Sequence, residues 1–292
     1  MHSWPGTEEA PGVVRCHEHG LEAVRAINAH GSLLVFCHGA QLVDYTPEGR
    51  APVLWLSRQS RFENGVAIRG GVPICFPWFG AHASDPKKPA HGFARTRPFR
   101  YLGSSLTLGT TKVSFELVAD EATRALWPFE FRACLHAVLG PELVVEFEVE
   151  NRDQRELDFE EALHTYFSVG DIGQVALEGL EGAGYADKVA GMSALQRESR
   201  LTFTSETDRV YQSSAPCRVV DGARGREIVV DKSGSATTVV WNPWIEKARR
   251  MSDFGDDEYT AMLCVESANT GDARVRLAPG EKHTLRVTIS SR

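Results

Sequence analysis

Short segments in which apolar and polar residues alternate run along most of the chain. Residues 144–150, for example, read VVEFEVE. Successive side chains of a strand point to opposite faces, so this pattern predicts a strand with one buried face and one wet face. Turn residues such as Pro279-Gly280 separate the segments. We predict strands at 33–37, 53–57, 99–103, 112–119, 129–139, 142–150, 157–168, 200–204, 226–231, 237–241, 259–267, 273–277 and 283–289.

Helical periodicity is weak throughout the sequence. Only residues 121–127 and 245–251 have a pattern that predicts a short helical turn. Many short strands with turns between them predict antiparallel sheets packed face to face. No linker, repeat or low-complexity block divides the chain. We therefore predict an all-β fold, a large antiparallel β-sandwich, with residues 1–292 as a single domain and residues 1–14 as an irregular N-terminal segment.

Composition and charge narrow the classes of partner. The 292 residues are 42% hydrophobic and 24% charged, with a formal net charge of -7. A net negative protein repels nucleic acid and anionic membranes, so we expect neither as a partner. The longest apolar stretch, 70–83, is interrupted by Pro73 and Pro77. The six cysteines are scattered without a CxxC pair, which favours a reducing, cytoplasmic compartment. Nothing indicates an obligate assembly, and we expect a monomer.

The predicted strand 157–168 carries a histidine on a mixed face. With a period of two, Phe159, Leu163 and Phe167 share one apolar face. The other face mixes polar and aromatic side chains, as sugar sites do: Glu160, Ala162, His164, Tyr166 and Ser168. On this segment alone, a hydrogen-bonded structural histidine on a half-exposed face remains the simpler interpretation.

Glu266 lies on the predicted strand 259–267, both of whose faces are apolar. Such a strand is covered on both sides. Burying an ionised, unpaired carboxylate there carries a desolvation cost on the order of several kcal/mol. A glutamate is kept in such a place either as one half of an ion pair with an arginine or for a chemical task. We favour the chemical task.

Arginines concentrate around the glycine-rich loop of residues 65–94. Arg69 precedes Gly70-Gly71, and Arg95 closes the run HGFAR at 91–95. The planar fork of arginine matches phosphate oxygens, so two arginines that flank one loop suit a phosphoryl group. For Arg58 and Arg100 we expect only solvated loop charge.

Two other polar clusters have spacings that do not fit a metal site. Cys16-His17-Glu18-His19 lacks a second ligand pair at zinc spacing, and we expect no metal there. Residues 253–258, DFGDDE, lack the alternating ligands of a calcium loop, and we expect a solvated turn. There is no G-x-S-x-G, P-loop or dinucleotide fingerprint, so hydrolase, kinase and dehydrogenase functions have no support.

Five ordered motifs resemble the glucose-6-phosphate 1-epimerases, which are hexose-6-phosphate mutarotases of the aldose 1-epimerase superfamily. The resemblance covers roughly residues 30 to 290. The motifs are IRGGVPICFPWFG (68–80) with HGFAR (91–95), LHTYF (163–167), TDRVY (207–211), VWNPW (240–244) and MLCVE (262–266).

The resemblance implies a galactose-mutarotase-like supersandwich that interconverts the α and β anomers of a hexose 6-phosphate without a metal or redox cofactor. It implies His164 as general acid and Glu266 as general base, placed on opposite sides of the sugar ring, with the imidazole protonated and the carboxylate ionised at the start. His91 and Asp208 would bind hydroxyls.

The phosphate end and the substrate range also follow from the resemblance. Arg69 and Arg95 would hold the phosphate of the small-molecule substrate. Ala90 stands where family members often carry glutamine, which leaves the hexose preference open, and Arg97 stands where a neutral residue is more usual. A non-catalytic sugar-phosphate-binding module and a mutarotase of free sugars remain the alternatives.

Overall fold

The computed structural model describes residues 6–292, which fold almost entirely into β-strands. In chain order the strands are β1 (Thr7–Ala10), β2 (Val13–Glu18), β3 (Leu21–Asn28), β4 (Gly31–Phe36), β5 (Gln41–Pro47), β6 (Ile74–Cys75), β7 (Arg100–Thr107), β8 (Thr110–Val118), β9 (Phe131–Leu139), β10 (Leu143–Asn151), β11 (Leu157–Phe159), β12 (Glu161–Leu163), β13 (Tyr166–Ser168), β14 (Val175–Glu178), β15 (Gly184–Asp187), β16 (Met192–Leu195), β17 (Arg200–Thr202), β18 (Thr207–Tyr211), β19 (Cys217–Asp221), β20 (Arg226–Ser233), β21 (Thr237–Asn242), β22 (Met262–Asn269), β23 (Val275–Leu277) and β24 (Lys282–Ser291).

Helical structure is confined to short turns. The α-helices are α1 (Glu121–Leu126) and α2 (Trp244–Ala248), and 3₁₀ turns lie at Ala94–Thr96, Ile172–Gln174, Glu258–Ala261 and Gly271–Ala273. Asp120 caps α1, because its carboxylate accepts a hydrogen bond from the backbone N–H of Thr123 while the Thr123 hydroxyl accepts one from Asp120 N–H. No helix of the described residues has the length and apolar character needed to cross a bilayer.

The strands form two large sheets and two smaller ones. The largest sheet has the order β17-β14-β19-β20-β24-β10-β9-β8-β7, and the second has the order β16-β15-β18-β21-β22-β12-β6, with β13 also paired to β22. Strands β1 to β5 form a meander, and β11 pairs with β23. Every pairing between these strands is antiparallel. The predicted all-β antiparallel architecture is confirmed.

A single large apolar cluster between the sheets fixes the long loop of residues 65–94. Phe76, from this loop, is fully buried and meets five aromatic rings edge to face at centroid distances of 5.3 to 6.2 Å: Phe93, Trp127, Phe131, Phe147 and Phe159. Edge-to-face contacts add about 0.5–1.5 kcal/mol each to the burial of apolar area. The loop is therefore held firmly against the sheets. The cluster extends from Val13 to Ile289.

Several predicted elements differ from the observed ones. Residues 53–57 make only isolated bridges, and 157–168 is divided into β11, β12 and β13. The strand predicted at 259–267 starts at Met262, after a 3₁₀ turn. The expectation of an irregular segment at 1–14 is wrong for residues 7–14, which contain β1 and the start of β2, while residues 1–5 lie outside the described part. Strand β1 reads TEEA and is largely exposed, so its sequence has no alternation to detect.

Both short helical turns are confirmed, and so is the covered central strand. All eight residues of β22 are buried. One of its faces packs Leu263 and Val265 into the large cluster, and the other packs Met262 and Cys264 against Trp241 in a smaller one. All six cysteines are buried and unpaired.

Candidate functional site

Two neighbouring strands place an imidazole beside a carboxylate. Strands β12 and β13 both pair with β22, with Leu163 opposite Ser267 and Tyr166 opposite Cys264. The register is the same on both sides of the two-residue gap, so His164 lies opposite Glu266. Cross-strand neighbours on one face are close enough for their side chains to interact. Here Nε2 of His164 lies 3.3 Å from Oε1 of Glu266.

This pair is deeply buried and has few other polar partners. The side chains of His164 and Glu266 are 8% and 1% exposed. Within the described residues, Nδ1 of His164 and Oε2 of Glu266 make no hydrogen bond, and no arginine forms an ion pair with Glu266, so the alternative of a structural arginine pair is wrong. The ring of Tyr166 stacks on the imidazole at 4.8 Å, nearly parallel to it. The pair is held in place and keeps unused hydrogen-bonding capacity.

Burial pushes both members of the pair toward their uncharged forms. Desolvation, together with the nearby positive charges of Arg95 and Arg69, lowers the pKa of His164 well below 6.5. Desolvation, together with the negative charge of Asp208, raises the pKa of Glu266 well above 4.5. The sequence led us to expect a protonated His164 and an ionised Glu266. The pair still holds one proton, but in the protein alone burial favours that proton on the carboxyl group.

A cleft of about 480 Å³ opens onto this pair, and all six predicted site residues line it. Its wall is part polar and part apolar, as a sugar ring with hydroxyl edges and apolar faces requires. The lining residues are Arg69, Phe79, Gly80, Ala81, Ala90, His91, Arg95, His164, Lys188, Asp208, Val239, Trp241, Lys247, Met251 and Glu266.

The HGFAR segment fixes the position and tautomer of His91. Gly92 has a φ of 72°, and a Cβ there would lie 2.0 Å from the carbonyl oxygen of Phe76, so only glycine fits. Nδ1 of His91 accepts a hydrogen bond from Gly80 N–H at 3.3 Å. Burial lowers the pKa of His91 well below 6.5, so the ring is neutral and its proton lies on Nε2. His91 therefore offers a hydrogen-bond donor in the cleft.

The two predicted phosphate-binding arginines differ in their surroundings. Arg69 forms an ion pair with Asp253 at 3.0 Å and donates to the Tyr166 hydroxyl at 3.0 Å. Arg95 donates to the carbonyl oxygen of Ala90 at 2.8 Å. Arg95 has no carboxylate partner in the described part of the chain, and its Nε is buried without a hydrogen bond. Of the two cations, Arg95 has more hydrogen-bonding capacity left for an anion.

Sequence reasoning missed two lysines at the cleft. Nζ of Lys247 lies 3.7 Å and Nζ of Lys188 lies 3.9 Å from the carboxylate of Asp208. Lys247 follows the motif VWNPW by three residues, which was a usable signal. Lys188 lies just after β15 on an exposed hairpin, and no pattern marks it. Burial raises the pKa of Asp208, and both lysines oppose this effect.

The remaining arginines of the cluster lie elsewhere. Arg58 pairs with Asp257 and Glu258, and Arg100 pairs with Glu116. Their side chains are 71% and 72% exposed. Arg58 is solvated loop charge, as expected, whereas Arg100 is solvated but begins strand β7. Arg97 pairs with Asp120 at 2.8 Å and does not line the cleft.

The acidic run 253–258 is not the solvated turn that we expected. Glu258 is 5% exposed. Its carboxylate accepts hydrogen bonds from the Ser57 hydroxyl at 2.6 Å and from the backbone N–H groups of Arg58 and Gly255 at 2.9 and 2.8 Å. The segment therefore docks against residues 57–58 and brings Asp253 to Arg69. No group of three or more His, Cys, Asp or Glu side chains in residues 6–292 is arranged to hold a metal ion.

A second groove, of about 570 Å³, lies at the N-terminal meander and shares no residue with the cleft. Its arginine, Arg15, forms ion pairs with Glu9 and Glu22. The groove thus lacks an available cation and a buried acid–base pair. We assign the candidate site to the cleft at His164 and Glu266.

Comparisons with known proteins support the fold and show the family of this chain. A protein of Escherichia coli named "Putative glucose-6-phosphate 1-epimerase" is 38% identical over 81% of this chain and 79% of its own length. The crystal structure of a "putative mutarotase" from Salmonella typhimurium has a TM-score of 0.91 and 32% identity, and it covers 97% of this chain and 95% of its own.

A more distant structure supports the fold alone. A galactose mutarotase-like protein from Lactobacillus casei has a TM-score of 0.73 at 17% identity, covering 92% of this chain and all of its own. The fold is thus the predicted galactose-mutarotase-like β-sandwich. The sequence model described as Aldose 1-epimerase matches residues 22–290. The chain belongs to the aldose 1-epimerase family and is an isomerase of the mutarotase type.

Proposed function

We propose that this protein interconverts the α and β anomers of a hexose 6-phosphate, with D-glucose 6-phosphate as the first candidate. The contact between His164 and Glu266 at 3.3 Å carries the proposal, because anomer exchange needs one group that gives a proton and one that takes it. The cations of the cleft supply the reason for a phosphorylated substrate. The name of the Escherichia coli relative points the same way.

The reaction breaks and remakes one bond of the cyclic sugar. Glu266 takes the proton of the C1 hydroxyl, His164 gives a proton to the ring oxygen, and the C1–O5 bond breaks to leave an aldehyde and a free hydroxyl. Rotation of the aldehyde and the reverse proton transfers close the ring on the other face. Each proton transfer contributes about 10²–10⁴-fold to the rate.

The contact between acid and base alters one detail of the expected geometry. We expected the two groups on opposite sides of the sugar ring, whereas they are adjacent in the structure. Adjacent groups still suit this reaction, because the hydroxyl and the ring oxygen are both bonded to C1. Adjacency also lets the shared proton move from the carboxyl group to the imidazole before ring opening.

The rest of the cleft accounts for binding and orientation. His91 donates from Nε2 to a sugar hydroxyl, and Asp208 accepts from another. The apolar wall, which includes Trp241 and Phe79, covers a face of the sugar ring. Arg95, together with Arg69, binds the phosphate. A bound phosphate offsets the positive charge of Arg95, which is one cause of the low pKa of His164, and so favours the protonated imidazole that ring opening requires.

Two alternatives predict different behaviour. A binding module on the same fold gives no reason to keep a buried acid in contact with a base. A mutarotase of free sugars uses the same pair but has no need of an unpaired Arg95.

The monomeric state and the cytoplasmic compartment remain proposals. Buried, unpaired thiols suit a reducing compartment.

Polarimetry on freshly dissolved α-D-glucose 6-phosphate and α-D-glucose tests the proposal. We expect the protein to accelerate equilibration of the phosphorylated sugar with the higher kcat/KM. Equal kcat/KM on both sugars would favour the free-sugar mutarotase. Saturable binding of glucose 6-phosphate without acceleration would establish the binding module instead.

A further inference from the structure

Lys188 is a cation of the cleft whose ammonium group has no hydrogen bond within the described residues. Its Nζ lies 4.7 Å above the centre of the Phe79 ring and 3.9 Å from the nearest oxygen of Asp208. The second distance is too long for a hydrogen bond. The side chain is 44% exposed and lines the same cleft as His164 and Glu266.

The backbone that carries Lys188 is fixed in place. Its N–H donates to the carbonyl oxygen of Asp208 on β18 at 2.8 Å. The preceding Asp187 accepts hydrogen bonds from Val189 and Ala190 N–H at 3.0 and 2.9 Å and pairs with Arg209 at 2.9 Å. The turn is therefore ordered while the ammonium group is free to find a partner, which is the arrangement of a preorganised binding residue.

The other cations of the cleft are more fully engaged. Arg69 is paired with Asp253. Lys247 donates to Glu206 at 3.0 Å and lies 3.7 Å from Asp208. Within the described residues, Arg95 lines the cleft without a carboxylate partner and Lys188 lines it without a hydrogen bond. An anion in the cleft would gain most from these two.

We infer that Lys188 is a substrate-binding residue that, with Arg95, holds the phosphate group and makes the enzyme prefer phosphorylated sugars. The inference rests on the proposed function and adds to it a residue that no motif indicates. Asp208 is the resting neighbour of Lys188. Because their distance exceeds hydrogen-bond length, the ammonium group gives up little when it turns to a phosphate oxygen.

The test compares K188M, which removes the charge, with K188R, which keeps it. For K188M we expect KM for glucose 6-phosphate and the inhibition constant of inorganic phosphate to rise about tenfold, as for the loss of one charge-assisted hydrogen bond. The loss should appear in KM rather than in kcat, because the interaction is made equally before and during ring opening. K188R should retain most of the affinity.

The matched control is K282M. Lys282 is similarly exposed, at 49%, and pairs with Glu148 on the nine-stranded sheet at 3.1 Å. It does not line the cleft, and its replacement should leave both constants unchanged. K188M with wild-type KM and wild-type phosphate inhibition would overturn the inference. So would a loss confined to kcat, which would place Lys188 in proton transfer through Asp208.

Failure of the proposed function would differ from failure of the Lys188 inference in the behaviour of the wild-type protein. In that case the wild-type protein would not accelerate anomer exchange on any sugar. Titration of the wild-type and K188M proteins with inorganic phosphate, followed by NMR, would then still test Lys188. Weaker binding to K188M would support the inference, and equal binding would contradict it.

Discussion

His164 and Glu266 face each other across one antiparallel strand pair, with Nε2 and Oε1 3.3 Å apart. The two residues are distant in sequence, yet the register of β12, β13 and β22 leaves them no other arrangement. A one-residue shift of that register would move one side chain to the other face of the sheet. The sheet therefore acts as the rigid support of the acid–base pair.

The pH dependence of kcat should report the single shared proton. Burial lowers the pKa of His164 and raises the pKa of Glu266, so the pair binds a second proton at a lower pH than a free histidine and loses its last proton at a higher pH than a free glutamate. We expect a bell-shaped profile with both limbs belonging to the pair. A profile measured with kcat avoids titration of the free phosphorylated substrate. A rate that rises continuously into alkaline solution would contradict this assignment.

Replacing Asp208 by asparagine should move the alkaline limb of that profile to lower pH. The carboxylate of Asp208 raises the pKa of Glu266, so removing its negative charge lowers that pKa, and the last proton leaves the pair sooner as the pH rises. Glu206, which contacts Lys247 but does not line the cleft, provides the matched control. E206Q should leave the alkaline limb in place, whereas an unmoved alkaline limb in D208N would refute the electrostatic role of Asp208.

Replacing Arg69 should lower the free energy of unfolding more than replacing Arg95. R69M leaves the carboxylate of Asp253 and the hydroxyl of Tyr166 without their shared partner, and we expect the free energy of unfolding to fall by about 2 kcal/mol. R95M removes a cation whose hydrogen-bond acceptor within the described residues is Ala90 O, and we expect a change in the free energy of unfolding below about 1 kcal/mol.

Both variants should raise KM for glucose 6-phosphate. Urea denaturation at neutral pH gives the free energies of unfolding. If R95M were as destabilised as R69M, Arg95 would be a structural residue and its availability for an anion would be lost.

Glu258 should stabilise the segment that brings Asp253 to Arg69. Burial alone would raise the pKa of Glu258, but hydrogen bonds from Ser57 and from the backbone of Arg58 and Gly255 outweigh it, and the pKa lies below 4.5. E258Q places an amide N–H₂ against a backbone donor, and we expect it to lose about 2 kcal/mol of stability at pH 7.

The sign of the pH effect follows from the depressed pKa. The contribution of the Glu258 carboxylate is fully present above the ordinary glutamate pKa of 4.5 and is lost as the pH falls through the lower folded value. Wild type and E258Q should therefore converge in acid. The control is E246Q, at a side chain that is 77% exposed. A difference between wild type and E258Q that persists unchanged into acid would rule out the charged form as its source.

The sequence predicted the elements whose patterns are local. Alternation in residues 144–150 predicted β10, and two apolar faces predicted the burial of β22. The motifs led to six of the residues that line the cleft. The sequence did not reveal Lys188 at the cleft or the buried carboxylate of Glu258, because only the tertiary fold brings their neighbours to them. The proton preference of the pair could not be predicted for the same reason, since burial sets it.

NMR exchange spectroscopy of the C1 anomers of glucose 6-phosphate tests the acid–base pair most directly. The wild-type protein should accelerate exchange, and E266Q and H164N should each lose about 10²–10⁴-fold of that rate while keeping the fold by circular dichroism. E161Q, which alters a buried glutamate that does not line the cleft, should keep the rate. Wild-type exchange in a folded E266Q protein would contradict the account.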